Sequence, residues 1–487
     1  MARNQTDAST HHEQATPENP TPSSRARQKK LDAQGATNVS RAPFSITPDR
    51  NQVEEEVDFA SLGDGTLLEL IEDPEDPART SLVVFKQGRH QITHSFECAG
   101  KIFVPRRRCR DGLADVRLPR GILPSKCVEE LNFRIFNLIS LCVDLSDEYR
   151  AILASFILYT WVADRLPTAV YLSVIGLPGS GKTNLLEVLA LLCRRALLVS
   201  DITPAATWDA CSKYNPTLLM DENEWQARGG SRIRQQLRAG TTQNLLAKRM
   251  HRTGHSFGPK VLSSLGPPDD PALLSRCIRI PMTETSRTDL IKPTDPRLLQ
   301  LTDEFQKQLL EFRLAHYKSI RPAVIPGAEK LRPRSRDLLN SLAAPLAGDK
   351  LCSELILAFF REIHEPENKE ILPPAQSAVL AALFTLIHLS TDCDCITVGS
   401  LGRFVNKFLK EVGERITLQP RKTGAVLTSL GISSRERTNQ GWKITLDHAT
   451  RLRIHNLTKT YGNEYLSNTA LRLVMPSCAM CKEVGNI

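Results

Sequence analysis

The chain has 487 residues, which is too long for one ordinary domain and predicts two to four folding units. Its 41% hydrophobic and 24% charged residues are ordinary for a globular protein, and the absence of any apolar run of roughly 18 residues excludes a membrane-spanning helix. The formal net charge is +9, and the polar N-terminal stretch has no apolar signal segment, so we expect a cytoplasmic protein with a polyanionic partner.

Changes in composition and in the period of apolar residues divide the sequence into seven segments. The first is rich in Ser, Thr, Pro, Gln and Asn and cannot bury enough apolar surface to fold. The predicted segments are a disordered tail (1–56), a small β-rich module (57–112), a helical segment (113–168), an α/β core (169–288), a helical lid (289–372), a basic helical module ending in a hairpin (373–462) and a tail with a Cys-x-x-Cys pair (463–487).

The core begins with an apolar, β-rich run at 170–175, which a glycine-rich sequence and then an apolar helix follow. The glycine-rich sequence has the pattern G-x4-G-K-[ST], whose backbone N–H groups curl around phosphates at a helix N-terminus. Lys182 is predicted to reach the terminal phosphates and Thr183 to ligate Mg²⁺. The predicted nucleotide ligands are Gly176, Pro178, Gly179, Ser180, Gly181, Lys182, Thr183 and Asn184. An accidental glycine-rich turn is the alternative.

A second apolar run at 217–220 leads into two carboxylates. Asp221 is predicted to hold the Mg²⁺ ion together with Thr183, and Glu222 to orient and deprotonate the attacking water. Glu224 is a weaker candidate for the role of Glu222. The alternative is a strand that ends in solvated acids.

Two later positions complete a hydrolytic site. Residues 260–264 are predicted to form the next strand, and Ser263 or Ser264 at its end is placed to touch the γ-phosphate or the water. Arg276 ends a short helix before the strand at 277–281. It is predicted to act as an arginine finger on the nucleotide of a neighbouring subunit, although a solvated arginine at a helix end is the alternative.

Together these residues resemble the core of AAA+ P-loop ATPases, with a parallel sheet and a helical lid. The short interval between Asp221 and the strand at 260–264 is similar to that of superfamily-three helicases and of the replication ATPases of prophages and other mobile elements. The resemblance covers about residues 146–336. It implies ATP and Mg²⁺ as ligands, a second sensor arginine at Arg336 or Arg334, a ring-shaped homo-oligomer and a possible primase or other replication protein as partner.

In that group a hairpin before the sensor strand projects into the central pore and grips DNA. The matching sequence is 245–257, within a stretch from 228 to 260 that carries eight Lys/Arg and no acidic residue. The resemblance implies DNA contacts from Lys248, Arg249, His251 and Arg252 at the tip of the hairpin.

The segment from 396 to 460 carries 12 Lys/Arg against four Asp/Glu. Its predicted helices at 375–389, 398–412 and 417–430, followed by a hairpin about 439–441, look like a winged helix, in which the third helix enters the DNA major groove. The predicted DNA-facing residues are Gln419, Arg421, Lys422 and Thr423 on the helix, and Arg435, Arg437 and Lys443 on the wing. A basic helical module that binds protein or packs on the core is the alternative.

Cys478 and Cys481 have the spacing of half a tetrahedral zinc site. Cys393 and Cys395 could complete it in space, but their spacing is irregular, and unligated thiols are the expectation. Lone histidines such as His388 and His455 are expected to be packed or surface residues.

The sequence therefore favours an ATP-hydrolysing motor or remodeller that acts on DNA, either single-stranded or duplex. Two alternatives stay open: an ATP-gated DNA-binding regulator or helicase loader that does not unwind, and an ATPase that remodels protein partners.

Overall fold

The computed structural model describes most of the chain from residue 53 onward, and these residues belong to one unit that runs from 53 to 487. The described residues are 53–107, 116–221, 231–249, 252–268, 270–367, 374–389, 394–411, 417–432, 435–439, 441–461 and 475–484. None of the helices in these ranges is both long and apolar enough to cross a bilayer.

Seven short strands form two sheets at the N-terminal end. The antiparallel order β2-β3-β4-β5 makes one sheet, and β1-β7-β6, with β1 parallel to β7, makes the other. The strands are β1 (Val53–Val57), β2 (Phe59–Ser61), β3 (Leu67–Glu72), β4 (Thr80–Lys86), β5 (Arg89–Thr93), β6 (Phe96–Cys98) and β7 (Lys101–Pro105).

Strand β1 begins four residues before the predicted start of the β-rich module at 57. Its sequence, Val-Glu-Glu-Glu-Val, lacks the alternating apolar pattern that predicts a strand. The strand pairs in register with β7, and the Nζ of Lys101 lies 2.8 Å from a carboxylate oxygen of Glu55. Pairing with a distant strand, rather than local pattern, therefore fixes β1.

The central sheet has five parallel strands in the order β14-β8-β13-β10-β9. Because all strands run in the same direction, their carboxyl ends share one edge, and β13 separates β8 from β10. The strands are β8 (Tyr171–Ile175), β9 (Leu197–Val199), β10 (Leu218–Met220), β13 (Lys260–Ser264) and β14 (Cys277–Pro281).

Helices cover this sheet and continue as the predicted helical lid. Most of the helices and β8 share one hydrophobic core with Leu67, Ile71 and Val83 of the N-terminal strands, whereas Ile233 and Leu273 belong to a second core on the sheet. The helices are α1 (Val128–Cys142), α2 (Asp147–Thr160), α3 (Lys182–Leu192), α4 (Pro204–Tyr214), α5 (Ser231–Ala239), α6 (Pro271–Leu274), α7 (Pro296–His316), α8 (Pro333–Leu342), α9 (Lys350–Phe359) and α10 (Glu365–Glu367).

A buried ion-pair network fastens the N-terminal strands to the helices. Glu69 of β3 accepts from Arg194 at 2.6 Å, from Arg195 at 2.9 Å and from Arg313 of α7 at 2.8 Å. Arg313 also pairs with Asp164 at 2.8 Å. One carboxylate therefore joins a strand, the end of α3 and the helical lid in the interior.

The C-terminal part has its own hydrophobic core, formed by residues between Ala378 and Cys481. Helices α11, α12 and α13 precede a hairpin, and the sheet order is β15-β17-β16 with antiparallel pairing. The elements are α11 (Pro374–Leu389), β15 (Cys395–Thr397), α12 (Val398–Glu411), α13 (Pro420–Ser429), β16 (Arg435–Thr438), β17 (Gly441–Thr445), α14 (His448–Tyr461) and α15 (Ala479–Val484).

Candidate nucleotide and nucleic-acid sites

The glycine-rich sequence forms a tight loop between β8 and α3. A Cβ atom on Gly176 would lie 2.4 Å from Ser180 Oγ and 2.5 Å from the carbonyl oxygen of Met282, so only glycine fits there. Gly179 and Gly181 have φ angles of 83° and 85°, in the left-handed region that glycine adopts without strain. The loop has the strand–loop–helix geometry that the motif predicts.

The polar groups of this loop converge at the start of α3. The buried ammonium of Lys182 donates to the carbonyls of Gly176 at 2.8 Å and Leu177 at 3.1 Å. Among the described residues, the buried hydroxyl of Ser180 has no hydrogen-bond partner. Pro178 and Gly179 are exposed at the rim. Asn184 points away from the rim, since its side-chain amide donates to the carbonyl of Cys142 at 2.8 Å.

Asp221 lies directly after β10, at the edge of the sheet that also holds the loop. The exposed hydroxyl of Thr183 donates to Asp221 Oδ2 at 2.9 Å, across the width of β13. The second oxygen, Asp221 Oδ1, is buried and finds no partner in the part of the chain that the structure describes. A hydroxyl and a carboxylate with an unused oxygen are ligands that fit Mg²⁺.

Ser263 and Ser264 occupy the carboxyl end of β13, between the loop and Asp221. Ser264 pairs with Ile175, and its carbonyl accepts the N–H of Gly176 at 3.2 Å. The Ser264 hydroxyl donates to the carbonyl of Gly266 at 2.7 Å, whereas the buried Ser263 hydroxyl has no partner among the described residues. Both predicted sensor candidates therefore lie beside the loop.

Glu222 and Glu224 lie outside the described residues.

Arg276 lies at the amino edge of the sheet, whereas the glycine-rich loop lies at the carboxyl edge. Arg276 precedes β14, whose last residue, Pro281, is level with Ile175 at the start of the loop. Five residues of strand span about 16 Å, so Arg276 cannot reach the loop of its own subunit. Burial, with the charges of Arg334 and Arg238, lowers the pKa of Arg276.

The two lid arginines proposed as a second sensor take different positions. The guanidinium of Arg334 donates to Ser275 Oγ at 2.6 Å and so lies beside Arg276, at the edge away from the loop. Arg336 is half-buried in the first turns of α8. Its sensor role stays a prediction.

The basic stretch forms the predicted hairpin, with β11 (Ala247–Arg249) antiparallel to β12 (Arg252–Gly254). Lys248 faces Thr253 in the pairing, and Arg249 pairs with Arg252. His251 lies outside the described residues.

The base of the hairpin is fixed on α4. A Cβ on Gly254 would meet Ser212 Oγ at 2.4 Å and the ring of Trp208 at 2.6 Å. Since β13 begins at Lys260, shortly after β12, the hairpin leaves the amino edge of the sheet, where Arg276 also lies. Lys260 itself is fully buried, with its ammonium bonded to the carbonyls of Ser256 and Gly258, so it adds nothing to the basic surface.

The C-terminal module exposes Gln419, Arg421 and Lys422 at the start of α13. The prediction for Thr423 was wrong. Its side chain is fully buried, and its hydroxyl donates to the carbonyl of Gln419 at 3.2 Å, because its position on α13 faces α12.

On the wing, Arg437 is exposed and Lys443 is half-buried, while only the backbone of Arg435 is described, where it pairs with Ile444. Sequence reasoning missed Trp442, which is 53% exposed and pairs with Arg437. An aromatic residue opposite an arginine in a predicted hairpin was the available signal, since both groups can contact nucleic acid.

No protein-family model matches the sequence, and no curated protein sequence matches it. Among solved structures, the C-terminal region of NrS-1 is 11% identical with a TM-score of 0.36, and the match covers 78% of this chain and 97% of that one. The JCV helicase is 15% identical with a TM-score of 0.22, covering 47% of this chain and 74% of that one. Cdc6p from Pyrobaculum aerophilum is 14% identical with a TM-score of 0.18, covering 69% of this chain and 94% of that one. With TM-scores below 0.5, these likenesses do not establish a shared fold or function.

Proposed function

We propose that this chain is an AAA+-like P-loop ATPase that binds ATP with Mg²⁺ at residues 176–183 and couples its hydrolysis to work on DNA. The observation that carries the proposal is the 2.9 Å hydrogen bond between Thr183 and Asp221, which joins the glycine-rich loop to the acidic end of β10. A strand-end carboxylate in contact with the hydroxyl of this motif is the arrangement that magnesium-dependent phosphoryl transfer requires.

Each loop residue has a defined task in this proposal. The backbone N–H groups of Gly179 and Gly181 bind phosphate oxygens at the N-terminus of α3. When ATP binds, the ammonium of Lys182 leaves the loop carbonyls and donates instead to oxygens of the terminal phosphates. Mg²⁺, when bound, neutralises developing charge on the phosphate oxygens, and Thr183 and Asp221 are the residues that would hold it. Glu222, directly after Asp221, accepts a proton from the attacking water.

Two arginines at the amino edge of the sheet, opposite the loop, are the reason for proposing an oligomer. Arg276 and Arg334 lie together there, too far from the loop of their own subunit to contact its phosphates. An arginine so placed can serve catalysis only if a neighbouring subunit brings its loop to this edge. A head-to-tail arrangement of that kind gives a ring when the rotation between subunits closes, and a closed ring is the assembly we propose.

The same edge bears the basic hairpin, so movement between subunits would also move the hairpin. The exposed residues Arg421, Lys422 and Arg437 of the winged-helix-like module would add phosphate contacts. We therefore propose a helicase-like motor or remodeller on DNA, with a role in replication of a mobile element or chromosome.

The test is ATP hydrolysis by the full chain with and without DNA. DNA should raise turnover, and Glu222→Gln should abolish hydrolysis while ATP still binds. Undiminished turnover in the Gln variant would remove the role given to Glu222. Hydrolysis that ignores single-stranded and duplex DNA alike would favour the remodelling of protein partners instead.

A further inference from the structure

Four metal-ligating side chains meet in the C-terminal module, far along the chain from the nucleotide loop. They are His388 of α11, His455 of α14, and Cys478 and Cys481 beside and within α15. One ligand atom from each lies within 4.8 Å of the other three. The two histidines are buried, as expected of packed residues, but each faces a cysteine sulfur.

The distances between these atoms suit a tetrahedral metal centre. His388 Nε2 lies 3.2 Å from Cys481 Sγ, and His455 Nε2 lies 3.5 Å from Cys478 Sγ. In a zinc site with Zn–S bonds of 2.3 Å and Zn–N bonds of 2.0–2.1 Å, tetrahedral angles put neighbouring N and S ligands about 3.5 Å apart. The four side chains are therefore already at ligating separation.

The outer hydrogen bonds of the histidines orient both rings for metal binding. His388 Nδ1 lies 2.8 Å from the carbonyl oxygen of Phe384, and His455 Nδ1 lies 2.7 Å from that of Arg451, each four residues earlier on its own helix. Because a carbonyl can only accept, Nδ1 carries the proton in both rings. Each Nε2 then presents its lone pair to the cluster, and ligating histidines usually donate their other ring N–H to a carbonyl or carboxylate in this way.

The surroundings of the cluster argue against a surface accident. His388, His455 and Cys481 are 4%, 1% and 8% exposed. The ring of Phe384 packs against both imidazoles, with its centroid 4.2 Å from that of His388 and 5.2 Å from that of His455.

We propose that His388, His455, Cys478 and Cys481 bind one Zn²⁺ ion as a closed structural site. Two thiolates with two imidazoles are the ligand set that selects zinc among common divalent cations, and four protein ligands leave no position open for catalysis. The ion fastens α15 to helices α11 and α14, which precede it in the chain. Cys395 of β15 is not one of the four ligands, and Cys393 lies outside the described residues.

The test is the metal content of the full chain after dialysis against buffer with a trace of zinc, measured by mass spectrometry. Wild-type protein should hold about one zinc ion per chain. His388→Ala and Cys481→Ser should each lower the zinc content per chain at least about tenfold. Cys395→Ser is the matched control, since it removes a cysteine from the same module and should keep the full zinc content.

Cobalt substitution of the wild-type protein keeps the proposal testable if those variants fail to fold. Co²⁺ should give the visible absorption of a tetrahedral centre with thiolate charge-transfer bands, and added Zn²⁺ should displace it. Zinc content below about 0.1 per chain with no such spectrum, equal zinc in Cys481→Ser and Cys395→Ser, or a Cys478–Cys481 disulfide in the isolated protein would each overturn the proposal.

Discussion

Gly176 stands where the nucleotide loop passes closest to its neighbours. An alanine there would place its Cβ against the carbonyl of Met282, a backbone atom that cannot rotate away. Overpacking of this kind costs about 1–3 kcal/mol, so Gly176→Ala should weaken ATP binding at least about tenfold in a direct titration. Gly63→Ala is the control, because no atom lies within 4 Å of its added Cβ. Equal affinities in the two variants would show that the loop is not the binding site.

Arg276 gives a prediction about the assembly. Because it lies at the edge of the sheet opposite the loop, Arg276→Ala should lower hydrolysis about 10³-fold or more while leaving ATP binding intact. Mixing Arg276→Ala subunits with Lys182→Ala subunits should recover activity, since some interfaces then pair an intact loop with an intact arginine. Mixtures that remain inactive would contradict the role given to Arg276 in a neighbouring subunit.

At the scale of elements, the basic hairpin is the part most directly tied to DNA. Replacing Lys248, Arg249 and Arg252 by alanine should weaken DNA binding and make it less salt-dependent. Each lost phosphate contact reduces the slope of log K against log salt by about 0.9 for duplex and 0.7 for single strands. The measurement is fluorescence anisotropy of labelled DNA over a series of salt concentrations.

A matched control removes three cations elsewhere, so the change in net charge is the same. Arg79, Lys126 and Lys350 suit it, because they lie elsewhere in the chain and their side chains are 75%, 84% and 92% exposed. Their removal should leave the slope nearly unchanged. If the slope of log K against log salt falls equally in both triple variants, the hairpin is not a DNA-binding element.

The elements around the nucleotide loop could be predicted because local sequence decides them. The strand at 171–175 and the glycines with positive φ are set by an apolar run and by turn chemistry. The hairpin at 247–254, by contrast, was expected only from the family resemblance. Thr423 could not be placed, because which face of α13 is buried depends on α12. Strand β1 was missed for a similar reason, since only its partner β7 makes an acidic segment extended.

The metal-ligand cluster shows the same limit. Cys478 and Cys481 are three positions apart in the sequence and form a recognisable Cys-x-x-Cys pair, whereas His388 and His455 reach them only through the packing of α11 against α14. Nothing near either histidine in the sequence marks it as a ligand.

At the scale of the molecule, Glu69 links parts of the chain that the sequence does not connect. Its partners Arg194 and Arg313 lie 125 and 244 residues away. Burial alone would raise the pKa of Glu69, but Arg194, Arg313 and Arg195 lower it to about 2. The ionised carboxylate therefore stabilises the fold above the ordinary glutamate pKa, and this contribution is lost as the pH falls from about 4.5 towards 2.

Glu69→Gln should lower the free energy of unfolding by about 3–5 kcal/mol at pH 7, because the buried carboxylate that three guanidinium groups share loses its charge. The difference between the variant and the wild type should shrink below pH about 4 as the wild-type carboxylate is protonated. Urea unfolding at several pH values measures both effects, with the exposed Glu75→Gln as control. A variant as stable as that control would mean that the network is not what joins the N-terminal strands to the helices.

The central claim is that the loop at 176–183 binds ATP with Mg²⁺, and calorimetric titration of the full chain tests it most directly. Wild-type protein should bind ATP only with Mg²⁺ present, and Lys182→Ala and Asp221→Ala should each weaken binding at least about tenfold through lost charge-assisted contacts. Saturable ATP binding that is unaffected by either substitution or by chelation of Mg²⁺, or no ATP binding by the wild type, would contradict the account.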